Sequence, residues 1–492
     1  MNYLLVIVTA LLLVLIHPGP NLVFLAPVAL TPLLIVCVRE TRPLHRFLLG
    51  WIAGVAYWWG VCYWIQFVLE VHGGMGGFLS WVAFILFCVL KALHLGVFAM
   101  LAGWLMPRWY AIPAVAALWT GLERTHGTFG FAWLALGNAG TDMGLPMRLA
   151  PFIGVYGLSF VFAMLGAALA CVVLRRPRIE LAWLAPLAVM WLLPPPPAFT
   201  RGTESAVLVQ PNLNEEEDWT PLKTNSMQKD LVTRSLDAAL DPVRGRPRLI
   251  LWPETPGPIY YYEDPTFHRY ATDLARTTGS YFLFGTVAYS ERHQPLNSAV
   301  LLAPDGDLVS RYDKMFLVPF GEFVPPLFSW VNRVTKEAGD FAPGSRVVVF
   351  PVGTHGLGTF ICYESAFPHL VRQFAEAGAD VLANISNDGY FGTSAARWQH
   401  MKLARMRAAE NRRWILRATN DGITATVDPA GRVLRTLPPF KEQTLRTEFG
   451  YVNDTTFYTR HGDWFAWSCL LAGLGLPALR VTRAGSPAHR RP

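Results

Sequence analysis

The sequence predicts a helical membrane bundle joined to a water-facing α/β domain, and three observations carry that expectation. Apolar residues make up 52% of the 492 positions and charged residues only 16%, against about 25% charged in an ordinary soluble domain. The apolar residues collect into long runs, nearly all before residue 200. After residue 200 short β-type runs alternate with helical stretches, the pattern of an α/β core. The aromatic and aliphatic content excludes a disordered chain. The net charge of +7 is dispersed over short loops rather than gathered in a patch, which argues against a nucleic-acid surface.

The apolar runs are residues 1–16, 23–38, 47–69, 78–106, 109–122, 149–174 and 181–193, with one more at 464–481. A spanning helix needs about 20 mostly apolar residues, so the fifth and seventh are marginal, and the expectation is about eight transmembrane helices. Loop charge supports that count. Arg39, Arg42, Arg46, Arg108, Arg175, Arg176, Arg178, Arg480, Arg483, Arg490 and Arg491 fall in loops of one parity, and only Arg124 and Arg148 in the other. The positive-inside rule then puts both termini in the cytoplasm and the segment between the seventh and eighth runs outside. The first run lacks a basic n-region and is expected to stay as a helix rather than to be cleaved.

Pro194 to Pro197 end the membrane half, because proline cannot continue a helix. The expected organisation is a transmembrane domain over 1–199, a catalytic domain over 200–463, and a last helix with a basic tail over 464–492. Within the middle domain, strands are expected at 206–210, 249–252, 281–287, 299–302, 347–350, 358–363, 381–385, 414–419 and 424–427. Helices are expected at 225–240, 266–277, 368–377 and 395–411.

Of the six cysteines, only Cys362 lies in the outward domain, so no internal disulfide framework exists there. Cys362 follows an apolar strand and precedes a helix start at Pro368. Such a turn can project a thiol into a cleft and aim the next backbone N–H groups at a developing oxyanion. A thiol nucleophile needs a base. Two segments offer suitable groups: Trp252-Pro253-Glu254, where an apolar strand runs into a carboxylate, and residues 311–325, where Lys314 and Glu322 sit among apolar and aromatic residues. Lys91 and His94 fall inside the fourth run. Intramembrane ionisable groups are functional candidates, but snorkelling or pairing with Glu70 also accounts for them.

Four blocks resemble the nitrilase (carbon–nitrogen hydrolase) superfamily, whose Glu–Lys–Cys triad comes in this order. They are Leu251-Trp252-Pro253-Glu254-Thr255, Tyr312-Asp313-Lys314 through Gly321-Glu322-Phe323-Val324-Pro325, Cys362-Tyr363-Glu364, and Ser386-Asn387-Asp388-Gly389-Tyr390-Phe391-Gly392. Two further blocks, residues 131–137 and 154–159, are similar to the integral-membrane branch, the apolipoprotein N-acyltransferases. Asn138 stands where that family has Tyr, Ala132 where Pro is usual, and Tyr390 where Trp is commoner. None of these departures touches a triad position.

The resemblance implies a nitrilase-like αββα sandwich and a two-step acyl transfer without metal or cofactor. Catalytic Glu254, Lys314 and Cys362 would move an sn-1 fatty acyl chain from a phospholipid, through a thioester, to the N-terminal amine of a diacylglyceryl apolipoprotein. Glu322 and Glu364 would orient Lys314 and shape the site, and Tyr363 would serve through its main chain. Trp219 falls where the family has a Trp on a mobile loop. The implied location is the bacterial inner membrane, with the catalytic domain in the periplasm. Tyr260 to Tyr262 and residues 323–330 are candidates for a rim dipping into the lipid interface. The nearest rival is a membrane-anchored amidase that uses water in the second step. It leaves the many membrane helices unexplained. A scaffold with an inert nitrilase-like domain would predict a lost triad member, and all three are present. No nucleotide loop, HExxH or paired CxxC occurs.

Overall fold

The computed structural model describes residues 1–128, 131–214, 217–319, 321–323 and 341–484, with only the backbone described beyond 476. The chain divides into two compact units. One comprises residues 1–63, 81–196 and 461 onward, the other residues 64–80 and 197–460.

Helices make up the first unit and most of residues 64–80 of the second. Gly77–Leu105 and Pro146–Val173 run for 29 and 28 residues and are long and apolar enough to cross a membrane. At about 1.5 Å per residue each exceeds a hydrocarbon core of about 30 Å. The third expected run is broken. Pro43–Cys62 and Trp64–His72 pass the same test only as a pair, bent by 60°. Asn2–Leu15, Val23–Arg39 and Trp464–Leu476 are apolar but shorter. By length and composition the described residues therefore hold two candidate spans, or three with the bent pair. The expected helix at 181–193 is not a regular one. Residues Arg178–Ala188 form a 3₁₀ helix, and only Val189–Leu192 are α-helical. Pro186 inside that stretch supplies no N–H for an α-helical bond.

Close helix approach uses small residues. A Cβ on Gly121 would stand 2.3 Å from the Leu470 Cα, so Ala111–Arg124 and the C-terminal helix meet there backbone to backbone. Arg124 locks the same pair through Asp463 at 2.5 Å. Lys91 Nζ lies 2.6 Å from His126 Nδ1, donates to the Phe131 carbonyl at 2.8 Å, and sits 4.9 Å from the Trp58 ring centre. The His94 ring stacks on His126 at 4.0 Å. The Glu70 carboxylate accepts from Gln66 Nε2 at 2.5 Å. The two membrane-branch blocks also meet, since the Gly137 N–H donates to Ser159 Oγ at 2.8 Å. Asn138 Oδ1 accepts from the Ala135 N–H at the same turn.

The second unit is a sandwich of two mixed six-stranded sheets. The first contains β1 (Glu204–Gln210), β2 (Leu249–Leu251), β3 (Tyr281–Tyr289), β4 (Pro295–Leu302), β5 (Leu308–Asp313) and β12 (Gln443–Phe449), in the order β12-β1-β2-β3-β4-β5. The second contains β6 (Val349–Val352), β7 (His355–Ile361), β8 (Val381–Ser386), β9 (Trp414–Thr419), β10 (Ala425–Val427) and β11 (Val433–Thr436), in the order β11-β10-β9-β8-β7-β6. The parallel centres are β1-β2-β3 and β7-β8-β9. Parallel strands need crossovers, which here include Pro265–Thr278 and Pro368–Glu376. Val207, Ile250, Trp252, Phe267, Leu274, Phe282 and Phe284 pack in the core beside the first sheet. Each such side chain contributes about 1.5–3 kcal/mol by burial.

Three strands were not expected: β5, β11 and β12. All three are sheet edges. The expected strand at 358–363 stops at Ile361, because Cys362–Ala366 form a 3₁₀ turn.

Candidate active site

Glu254 and Cys362 follow the C-terminal ends of the parallel strands β2 and β7, and Lys314 follows the antiparallel edge strand β5. β2 ends at Leu251, and Pro253 then blocks further ladder bonding. Trp252 anchors the exit, donating its indole N–H to Ser235 Oγ at 2.9 Å. β3 makes room with Gly285, where a Cβ would stand 2.5 Å from Thr255 N and 2.7 Å from the Glu254 Cα. Glu254 is therefore presented at a tight exit and is only 6% exposed.

Glu254 accepts three hydrogen bonds. Asn297 Nδ2 donates to Oε1 at 2.7 Å, Lys314 Nζ to the same oxygen at 2.9 Å, and the Asn387 N–H to Oε2 at 2.9 Å. Lys314 follows β5, and its N–H donates to the Asn297 carbonyl at 2.8 Å. It is 1% exposed, and its ammonium also donates to Glu322 Oε1 at 2.9 Å. Glu322 is held in turn by Asn297 Nδ2 at 2.6 Å and the Val318 N–H at 2.8 Å. Burial works against charge on Lys314, but Glu254 and Glu322 outweigh it and hold the ammonium well above its ordinary range.

Cys362 opens the turn after β7 with φ +49°, a left-handed conformation uncommon outside glycine. Burial pushes its thiol up, the Glu254 charge pushes further, and Lys314 pulls back. The resting group is a neutral thiol beside a carboxylate and an ammonium. This arrangement suits proton transfer from sulfur to Glu254 as a bond forms.

Glu364 does not touch the Lys314 ammonium. Its Oε1 accepts from the Tyr312 hydroxyl at 2.7 Å and the Met315 N–H at 2.7 Å, and its Oε2 from the Ile361 N–H at 2.7 Å. It thus ties the backbone after Lys314 to the backbone before Cys362. Burial pushes Glu364 up to about 7, against the pull of those donors. The Tyr363 ring packs edge-on against Phe367 at 5.0 Å. Trp219 packs on the hydrophobic core, with its ring beside Gly257. Tyr261 is buried in that core, whereas Tyr260 and Tyr262 are exposed. Residues 324–330 of the expected rim, Val324 and Pro325 of the second block, and the tail arginines Arg490 and Arg491 lie outside the described residues.

The sequence reading missed Asn297, which bridges Glu254 and Glu322. Its signal was a lone amide in the buried run of β4. Arg417 was also missed, a charge at 0% exposure in the middle of β9. It donates to Asp388 Oδ2 at 2.8 Å. Burial alone would raise Asp388, but Arg417 and then His400 hold its carboxyl below the usual range.

The sandwich thus holds a buried carboxylate, ammonium and thiol at its strand ends. The carbon-nitrogen hydrolase family profile matches residues 208–450. The profile of the apolipoprotein N-acyltransferase N-terminal domain matches residues 9–168. An apolipoprotein N-acyltransferase of Geobacter metallireducens is 32% identical over 98% of this chain and 96% of that protein. One from Ralstonia nicotianae is 34% identical over 89% of this chain and 85% of that protein. Among solved structures, an amidase from Nesterenkonia sp. is 20% identical with a TM-score of 0.39, covering 53% of this chain and 94% of its own. The chain belongs to the apolipoprotein N-acyltransferase family, a membrane branch of the carbon–nitrogen hydrolases.

Proposed function

We propose that the protein transfers an sn-1 fatty acyl chain from a phospholipid to the N-terminal amine of a diacylglyceryl-cysteine apolipoprotein by a ping-pong route. In the first half, Glu254 takes the Cys362 proton as sulfur bonds to the ester carbonyl carbon. The carbonyl electron pair moves to oxygen, where the Lys314 ammonium and the Tyr363 N–H meet it. Collapse breaks the C–O bond, and the lysophospholipid oxygen recovers the proton from Glu254. In the second half the amine attacks the thioester and Glu254 takes its proton. The C–S bond breaks, and the sulfur recovers that proton.

The observation that carries this reading is the double tether of Lys314. Two of its three N–H groups are held by Glu254 and Glu322 at 2.9 Å, so the third has a fixed direction and can serve an oxyanion. Preorganised donors of this kind are worth about 3–4 kcal/mol each. Glu322, Glu364 and Asn297 act by holding Lys314 and its backbone.

The same proposal places about eight helices in the bacterial inner membrane, with both termini cytoplasmic. The domains are a transmembrane part over 1–199, a periplasmic catalytic part over 200–463, and a last helix and tail over 464–492. The loop arginines and the lipid nature of both substrates support it. The test is mass spectrometry of purified protein after incubation with phospholipid. An acyl mass is expected on the peptide containing Cys362, removable by hydroxylamine and missing in Cys362→Ser. Its absence from wild type would refute the thioester.

A further inference from the structure

We propose that His400 is a positioning residue for acyl transfer: it fixes the peptide between Cys362 and Tyr363, and so aims the Tyr363 N–H at the oxygen that becomes negative. The inference rests on the reaction proposed above. His400 lies on the helix Ala396–Asn411 and is 0% exposed, so it cannot reach a substrate itself. Its Nε2 stands 2.9 Å from the Cys362 carbonyl oxygen. A carbonyl can only accept, so Nε2 carries a proton and donates it.

The other side of the ring is held too. Nδ1 lies 2.9 Å from Asp388 Oδ1 and 3.1 Å from Arg417 Nη2. Asp388 is fixed by Arg417 at 2.8 Å and by the Ser386 hydroxyl at 2.8 Å. His400, Asp388, Arg417 and Ser386 are all 0% exposed, so water does not compete for any of these bonds. The Phe391 ring closes on the imidazole edge at 5.7 Å.

The consequence follows from peptide planarity. In a trans peptide the C=O and the next N–H point in opposite directions. A Cys362 carbonyl tied to His400 therefore turns the Tyr363 N–H to the opposite side. The Phe360–Ile361 peptide, one link upstream of Cys362, is tied as well, through the Ile361 N–H to Glu364 Oε2 at 2.7 Å. Two tethers thus bracket a residue held at φ +49°. Strained conformations of this kind persist where the surroundings over-determine them.

The test compares two reactions at one sulfur in the full-length protein, in detergent micelles. Acylation from phospholipid, read as acyl mass on the Cys362 peptide in a single turnover, places negative charge on an oxygen. Alkylation by iodoacetamide forms a C–S bond and expels iodide without that charge. His400→Ala should slow acylation by about 100-fold while changing alkylation by no more than about threefold. His400→Gln keeps an N–H donor at a similar reach and should recover at least about tenfold of the lost acylation rate. Equal losses in both reactions would mean general damage to the site and would overturn the proposal. So would unchanged acylation in His400→Ala, or no recovery in His400→Gln. If wild type itself carries no acyl mass on Cys362 but is still alkylated, the underlying reaction fails and takes this inference with it.

Discussion

Lys314→Met isolates what the buried ammonium does. Its side chain is 1% exposed, against 8% for Glu254 and 13% for Glu322, and both ion pairs are 2.9 Å long. At an effective dielectric of about 20 each pair is worth about 6 kcal/mol before desolvation. Much of that is offset by removing three charges from water. Deleting one partner of a buried pair nevertheless costs about 3–5 kcal/mol, because the carboxylates stay buried without compensation. Here two carboxylates would be left sharing Asn297 Nδ2, with one backbone N–H each, from Asn387 and Val318.

The loss should depend on pH, and the sign is set by proton counting. In the variant the folded chain takes up a proton to relieve carboxylate repulsion, while the unfolded chain near neutral pH does not. Stability of Lys314→Met should therefore fall as pH rises from about 5 to about 8, relative to wild type. Chemical denaturation of full-length protein in mild detergent, followed by near-ultraviolet circular dichroism, reads both effects. Adding Glu322→Met removes the surplus charge and should recover about 1–2 kcal/mol. A Lys314→Met protein as stable as wild type at pH 8, or a loss independent of pH, would refute the electrostatic account.

Two other outcomes follow from the geometry. Because burial and Glu254 push the Cys362 thiol up, little thiolate exists near neutrality, and iodoacetamide alkylation should keep accelerating beyond pH 9; a plateau below pH 8 would contradict that. Gly285→Ala would drive a methyl group into the Glu254 backbone, 2.5 Å from Thr255 N. It should destabilise the fold by about 1–3 kcal/mol and slow Cys362 acylation more than alkylation, whereas a neutral effect on both would show that the exit from β2 has slack.

The sandwich was legible where burial imposes continuous apolar runs, as in β1, β3, β8 and β9. It was illegible at its margins. β5, β11 and β12 read LVSRYD, VLRT and QTLRTEF, because an edge strand carries charge to avoid further pairing and so loses the apolar pattern. Glu254, Lys314 and Cys362 stood out as reactive types in apolar settings. Asn297, His400 and Arg417 make hydrogen bonds between segments far apart in the chain; a lone amide in β4 and a charge within β9 mark two of them, but no local pattern reports their partners. The helical unit shows the same limit: its apolar runs were readable, but the 3₁₀ path of Arg178–Ala188, with Pro186 inside it, was not.

The most direct test is a chase in two stages. Protein loaded with an isotopically labelled acyl chain, freed of phospholipid and then given a diacylglyceryl-cysteine peptide, should lose label from Cys362 as an equal amount appears in amide linkage on the peptide. Label released as free fatty acid, or a peptide acylated at the wild-type rate by Cys362→Ser, would contradict it.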